Sequence, residues 1–116
     1  MIAGSENGQI VFWDIRNLKD ILTVFNETQT DSINSLDLKD QWLLSGCEDG
    51  SLIVYDLQEQ DELESVELVL NAEEPVRKVN FLNNDFIFYE NYDGIGVYDF
   101  QLGTSKMKQQ FANTVL

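Results

Sequence analysis

At 116 residues the chain is long enough for one ordinary globular core, and 43% of it is hydrophobic. With 21 acidic residues against 7 basic ones it carries a formal net charge of -14, the wrong sign for gripping a phosphate backbone. There is no histidine and only one cysteine, Cys47, so an internal disulfide is excluded and the usual nucleophile-base pairs and transition-metal cages lack their ligands.

The elements read in order as strands. Ile2 to Ser5 and Gln9 to Ile15 flank a tight turn at Glu6-Asn7-Gly8, Asn17 to Asp20 turns the chain, and Ile21 to Phe25 is a further strand. The wholly polar stretch Asn26 to Ser32 is a crossing connection. Ile33, Leu36 and Leu38 mark the next strand, which turns at Lys39-Asp40-Gln41. Trp42 to Cys47, Ser51 to Leu57 and Glu64 to Leu70 follow as strands, with Gln58 to Glu62 expected as an exposed acidic turn. Asn71 to Pro75 crosses again, and Pro75, the only proline, suits a loop or strand start, where no ladder donor is needed. Val76 to Phe81, Phe86 to Glu90 and Ile95 to Phe100 are the last clear strands. Gln101 to Thr104 turns, and the stretch from Ser105 to Val115 is left open between a ragged strand, a short helix and a disordered tail.

The runs Trp42-Leu43-Leu44 and Leu52-Ile53-Val54-Tyr55 are apolar at consecutive positions, whereas a sheet wet on one side alternates apolar with polar. Both faces of this sheet must be covered, and no helix of ordinary length is written anywhere to cover them. Glu64 to Leu70 begins with mixed polarity, as a strand at an outer rim does.

One phrase recurs. Leu44 to Leu57, Leu-Ser-Gly-Cys-Glu-Asp-Gly-Ser-Leu-Ile-Val-Tyr-Asp-Leu, repeats Ile2 to Ile15, Ile-Ala-Gly-Ser-Glu-Asn-Gly-Gln-Ile-Val-Phe-Trp-Asp-Ile. Gly4 falls on Gly46, Asn7 on Asp49, Gly8 on Gly50, Trp13 on Tyr55 and Asp14 on Asp56, all at one offset. A worn third copy carries Tyr92-Asp93-Gly94 and Val97-Tyr98-Asp99. The Asp-Gly pair suits a strand turn because glycine takes a positive φ and a short polar neighbour bonds its own backbone.

The period and these residues resemble the WD-repeat β-propeller family, whose unit is a four-stranded blade of about 40 to 45 residues ending in an aromatic-Asp pair. The resemblance implies an all-β chain of antiparallel four-stranded blades forming an incomplete ring. Residues 1–25 would be a partial blade, 33–70 a complete one, and 76–116 a degenerate blade with a tail. Closed rings of this kind have about four to eight blades, so missing blades or self-association would have to cover the terminal blade faces. Trp13 and Tyr55 are expected to be buried anchors. The resemblance also implies a buried hydrogen-bond chain from Trp through Ser or Thr and His to the turn Asp. Here the second copy offers Ser45 and Asp49 but has Tyr55 for the Trp, the first offers Trp13 but has Ala3 and Asn7, and no copy has the His. No copy is therefore expected to build the full chain. The stretch from Asp49 through Asp61-Glu62-Leu63 to Val76-Arg77-Lys78-Val79 is loosely similar to the eukaryotic WD-repeat-containing protein 89 type.

Candidate chemistry is sparse. The adjacent pairs Glu48 and Asp49, Asp61 and Glu62, and Glu73 and Glu74 could in principle form a carboxylate dyad, but each falls in an expected exposed turn, where solvated surface is the simpler reading. No turn has the alternating ligands of a calcium loop, and the glycines open no helix that could cradle a phosphate. Catalytic, cofactor and metal sites are accordingly expected to be absent. Cys47 is expected as a buried structural thiol in a reducing compartment. With no apolar run near 18 residues and no signal-peptide pattern, an intracellular protein, cytoplasmic or nuclear, is expected.

In an antiparallel meander successive turns alternate between the two ends. One end would carry Glu6, Glu27, Asp31, Glu48, Glu73 and Glu74, an acidic arc with no Lys or Arg in those turns. The resemblance implies that protein partners dock at such an end, so a basic protein segment is the expected partner, with no direct nucleic-acid or membrane binding. The expected function is a non-catalytic protein-interaction scaffold. The alternatives are a truncated, non-functional remnant of a longer repeat protein, or a carboxylate-based hydrolase.

Overall fold

A computed structural model of the chain describes residues 2–6, 8–14, 17–29, 31–83, 85–99 and 110–114. They form three antiparallel sheets, each a meander of strands in chain order. The first holds β1 (Ile2–Glu6), β2 (Gln9–Asp14) and β3 (Asn17–Phe25). The second holds β4 (Ile33–Lys39), β5 (Trp42–Cys47), β6 (Ser51–Asp56) and β7 (Val66–Asn71), with one helical turn, α1 (Glu62–Ser65), between the last two. The third holds β8 (Val76–Phe81), β9 (Phe86–Asn91), β10 (Gly94–Asp99) and β11 (Gln110–Thr114).

Local chemistry sets the turns. Gly50 has a φ of +93 and Gly8 a φ of +78, the left-handed conformation that a side chain would strain. Asp49 Oδ1 accepts from the Ser51 N–H at 2.8 Å and from the Ser51 hydroxyl at 2.6 Å, which closes the β5–β6 turn from within. Asn71, Asn83 and Asn91 each accept, through Oδ1, from an N–H two residues on, the asparagine version of the same device.

Every residue of β5 is buried, and so are Leu52, Ile53, Val54 and Tyr55 in β6. The reason is the period of two along a strand: alternate side chains enter different cores. Leu43, Ile53 and Tyr55 join Ile10, Phe12, Phe25 and Ile33 between the first and second sheets. Trp42, Leu44, Leu52, Val54, Leu68 and Leu70 join Val76, Val79, Ile87, Tyr89 and Tyr98 between the second and third. The consecutive apolar runs are thus two half-patterns interleaved, one for each neighbouring sheet. Gly46 marks a close approach of the second and third sheets: a Cβ placed there would lie 2.6 Å from Val76 Cγ1 and 2.7 Å from Val79 Cγ1.

The two inner strands β4 and β8 lie side by side without forming a ladder, and side chains of β4 bond the β8 backbone instead. Ser35 Oγ accepts from the Val79 N–H at 3.1 Å, Asp37 Oδ2 accepts from the Phe81 N–H at 2.7 Å, and Asn34 Nδ2 donates to the Val76 carbonyl at 2.8 Å. These are backbone groups that would otherwise need water.

Four sequence expectations change. The turn expected over Asn17 to Asp20 belongs to β3, whose pairing with β2 shifts register around Trp13, so the residues between Asn17 and Ile21 are absorbed opposite the single step from Trp13 to Asp14. The strand expected from Glu64 begins at Val66, because Asp61 caps a helical turn by accepting from the Glu64 N–H at 3.1 Å. Of the open stretch 105–115, residues 110–114 are a strand paired with β10; the remainder lies outside the described residues. Trp13 is only half-buried, lying over Gly4, while Tyr55 is fully buried.

The fifth difference concerns the hydrogen-bond chain that was expected to be incomplete. Gln29, buried in the β3–β4 connection, occupies the middle of it. Its Oε1 accepts from the Ser45 hydroxyl, and its Nε2 donates to Ser51 Oγ at 2.9 Å, which in turn donates to Asp49. A carboxamide carries a donor and an acceptor on one rigid plane, so it bridges two hydroxyls as a histidine ring does.

Candidate functional site

The connection 26–32 crosses the second sheet and is tied to it along its length. The Glu62 carboxylate, on α1, accepts from the N–H groups of Asn26 at 2.8 Å, Glu27 at 2.8 Å and Thr28 at 2.7 Å, and from the Thr28 hydroxyl at 2.7 Å. Thr28 also shares a hydrogen bond with the Tyr55 hydroxyl. Glu62 is 9% exposed, and its charge is held by successive backbone dipoles. Burial pushes the Tyr55 phenol up to about 12, the Thr28 bond opposes that, and the Glu62 charge adds to it.

Glu62 was expected as solvated turn charge, and the structure corrects that. A local signal existed: Asp61 followed three residues later by Glu64 is the spacing of a capped helix start. That spacing identifies the turn; nothing in the sequence says that the turn's first residue reaches the neighbouring sheet's connection.

The connections at the β5–β6 end close around one turn. The Glu48 N–H donates to the Ser32 carbonyl at 2.8 Å, and the Ala72 N–H donates to the Gly50 carbonyl at 2.8 Å. Asp31, Glu73 and Glu74 are exposed there, and Glu48 is half-buried with its Oε2 accepting from Asn34 Nδ2 at 2.7 Å. Glu73 is held at a φ of +67 by the bond from its N–H to Asn71 Oδ1. Glu27 is exposed beside the Glu62 anchor, further along the same connection. Glu6 ends β1, and its side chain lies outside the described residues.

Asp93 belongs with this group and was missed. A cavity of about 210 Å³ opens between the 72–74 connection and the β9–β10 turn, and Glu73, Glu74 and Asp93 all line it, with Tyr89 at its base. The signal was available, since Tyr92-Asp93-Gly94 is the third copy of the turn that contains Asp49 and Gly50. Of the other acids in that turn type, Asp49 is spent internally: burial would raise its pKa, and the Ser51 bonds bring it below the usual carboxylate value.

Cys47 is fully buried, and burial raises its thiol pKa. Among the described residues no group of three or more Cys, Asp or Glu side chains is placed to hold a metal ion, and no helix is long and apolar enough to cross a membrane.

No protein-family model matches the chain, and no curated protein matches it in sequence. Solved structures do. The β-propeller domain of Myceliophteria thermophila Cps50 (Swd1) superposes with a TM-score of 0.73 at 20% identity, over 98% of this chain and 34% of that one. Saccharomyces cerevisiae Sqt1 matches with a TM-score of 0.68 at 27% identity, over 91% of this chain and 28% of that one. Chaetomium thermophilum Sqt1, solved bound to the N-terminus of the ribosomal protein L10, matches with a TM-score of 0.65 at 27% identity, over 84% of this chain and 27% of that one. The chain therefore spans between 27% and 34% of the length of these propellers. Its fold is that of antiparallel WD-repeat propeller blades in an incomplete ring.

Proposed function

We propose that the chain is a non-catalytic protein-interaction module that receives a basic peptide segment on the face formed by Glu27, Asp31, Glu48, Glu73 and Glu74, with Glu6 at its margin and Asp93 added. The observation that carries this reading is the convergence of cation-free acidic connections on the Glu48–Gly50 turn. Charge complementarity of that sort steers a partner and selects its sign. The Sqt1 structure with a ribosomal protein N-terminus supports the general mode, a propeller holding a protein terminus. The sheets supply rigidity, and the loops supply contacts. In this reading the outer sheet faces are covered by further blades or by a second copy, and the setting is cytoplasmic or nuclear. The likeness to the WD-repeat-containing protein 89 type fits the same scaffold role.

Titration of a fluorescent Lys- and Arg-rich peptide into the chain tests it. The triple variant Glu48→Lys, Glu73→Lys, Glu74→Lys should bind at least about 10-fold more weakly than the native chain, with an unchanged melting temperature, and the native affinity should fall steeply with salt. Equal affinity of the native and triple-variant chains would refute the site. The alternative of a non-functional remnant predicts an aggregated or molten chain, which a monomeric, cooperative melt excludes.

A further inference from the structure

We propose a second docking site, at the other end of the blades: the groove between β3 and the connection from β6 to α1 binds an extended peptide bearing a large apolar side chain with basic neighbours. The groove has a volume of about 470 Å³, within the range of specific ligand sites. Phe12 and Phe25 form its floor, packed edge to face with centroids 4.9 Å apart. Leu57 continues the floor; Leu22 and Thr23 form one wall, and Glu59 and Gln60 the other. Leu22 is 54% exposed, as β3 is an edge strand of its sheet that, among the described residues, pairs only with β2.

Two features specify the occupant. The outer edge of β3 meets no further strand among the described residues, so an extended segment can add there as a strand, with one side chain of each pair turned into the groove. The rim selects charge. From Asp56 to Glu64 the chain carries Asp56, Glu59, Asp61, Glu62 and Glu64 and no Lys or Arg. Glu62 is engaged by the 26–28 backbone, whereas Glu59 and Glu64 are exposed and their carboxylates have no partner among the described residues. At the same end of the blade, Glu67 is driven above the usual carboxylate range by its burial and by the charge of Asp56, so the negative field there is felt by the protein's own groups. An apolar floor with an acidic rim discriminates against a purely apolar or an acidic segment. This site is separate from the Glu48–Gly50 turn and the 72–74 connection, because β6 starts at that turn and ends at the groove.

The test uses fluorescence anisotropy with the full chain and a labelled hexapeptide, Lys-Leu-Lys-Phe-Lys-Lys, beside a control with Leu and Phe replaced by Ser. The native chain should bind the first peptide at least 10-fold more tightly than the control. Leu22→Lys should weaken it at least 10-fold and Glu59→Lys several-fold, both at exposed positions where the melting temperature should hold. The loop-face variant Glu73→Lys, Glu74→Lys should bind it as the native chain does. Equal binding of the two peptides, or native affinity in Leu22→Lys and Glu59→Lys, overturns the proposal. A loss seen only in the loop-face variant would assign the peptide to the other site and overturn it as well.

Discussion

Toward β8–β11 the central sheet presents Leu44, Leu52, Val54, Leu68 and Leu70, and meets Val76, Val79 and Ile87 in a cluster dominated by aliphatic groups. Toward β1–β3 it presents Leu43, Ile53 and Tyr55 against Ile10, Phe12 and Phe25, with the Ser45–Gln29–Ser51 chain and the Glu62 anchor at the margin of the aromatic contacts. The first interface rests mainly on aliphatic packing, with Asn34, Ser35 and Asp37 bonding the β8 backbone along its inner strand, so it depends chiefly on volume at each position. The second combines area with a fixed set of donors and acceptors, so it depends on chemistry as well. A single four-stranded unit can therefore rest chiefly on aliphatic volume on one side, and on aromatic packing with a buried carboxylate anchor on the other.

The largest separation of the two interfaces should come from Tyr55→Ala. It removes a buried ring and the partner of the Thr28 hydroxyl together, and should cost about 3 to 5 kcal/mol in a denaturant titration, more than Trp13→Ala at its half-buried position.

Next is Glu62→Ala, which leaves the N–H groups of Asn26, Glu27 and Thr28 without their acceptor and should cost about 3 kcal/mol. Urea melts that place Glu62→Ala beside the native chain would show the carboxylate to be mere loop charge.

Tyr55 supplies a pH readout of the polar interface. Its folded-state pKa is raised from 10.0 to about 12, so its contribution is fully present below pH 10 and is lost as pH rises toward 12. The native chain should lose on the order of 2 kcal/mol more than Tyr55→Phe across that window, measured by chemical denaturation at each pH. Tyr98, also raised to about 12 by burial and by Tyr89, titrates in both chains and cancels.

On the aliphatic side, Gly46→Ala adds a methyl that overlaps Val76 and Val79 and forces them to shift, and should cost about 1 to 3 kcal/mol, partly recovered in a Val76→Ala background. The smallest effect should be Glu64→Ala, two residues from Glu62 and exposed, at within about 0.5 kcal/mol. A comparable loss from Glu62→Ala and Glu64→Ala would erase the distinction between an anchoring and a solvated acid.

Much of the fold was legible. The Asp-Gly turns and the repeated phrase locate the hairpins because positive φ and local side-chain bonding are properties of two or three consecutive residues. The consecutive apolar runs showed that the central sheet is covered on both sides. Glu62 was not legible, since its partners lie more than thirty residues back along the chain and are backbone groups, which every residue carries. Gln29 was missed for a related reason: its role depends on having a donor and an acceptor within reach of Ser45 and Ser51, and only the crossing connection brings them there. On the loop face, Asp93 was within reach of the repeat but was passed over because that copy is worn.

From composition and period alone come the strand content, the turn positions, the acidity and the demand that sheets stack on both sides, because each is written in neighbouring residues. Which acid is buried and which is free was decided by the stacking of one sheet on the next, since desolvation and hydrogen-bond supply belong to the assembled surroundings and not to the residue type.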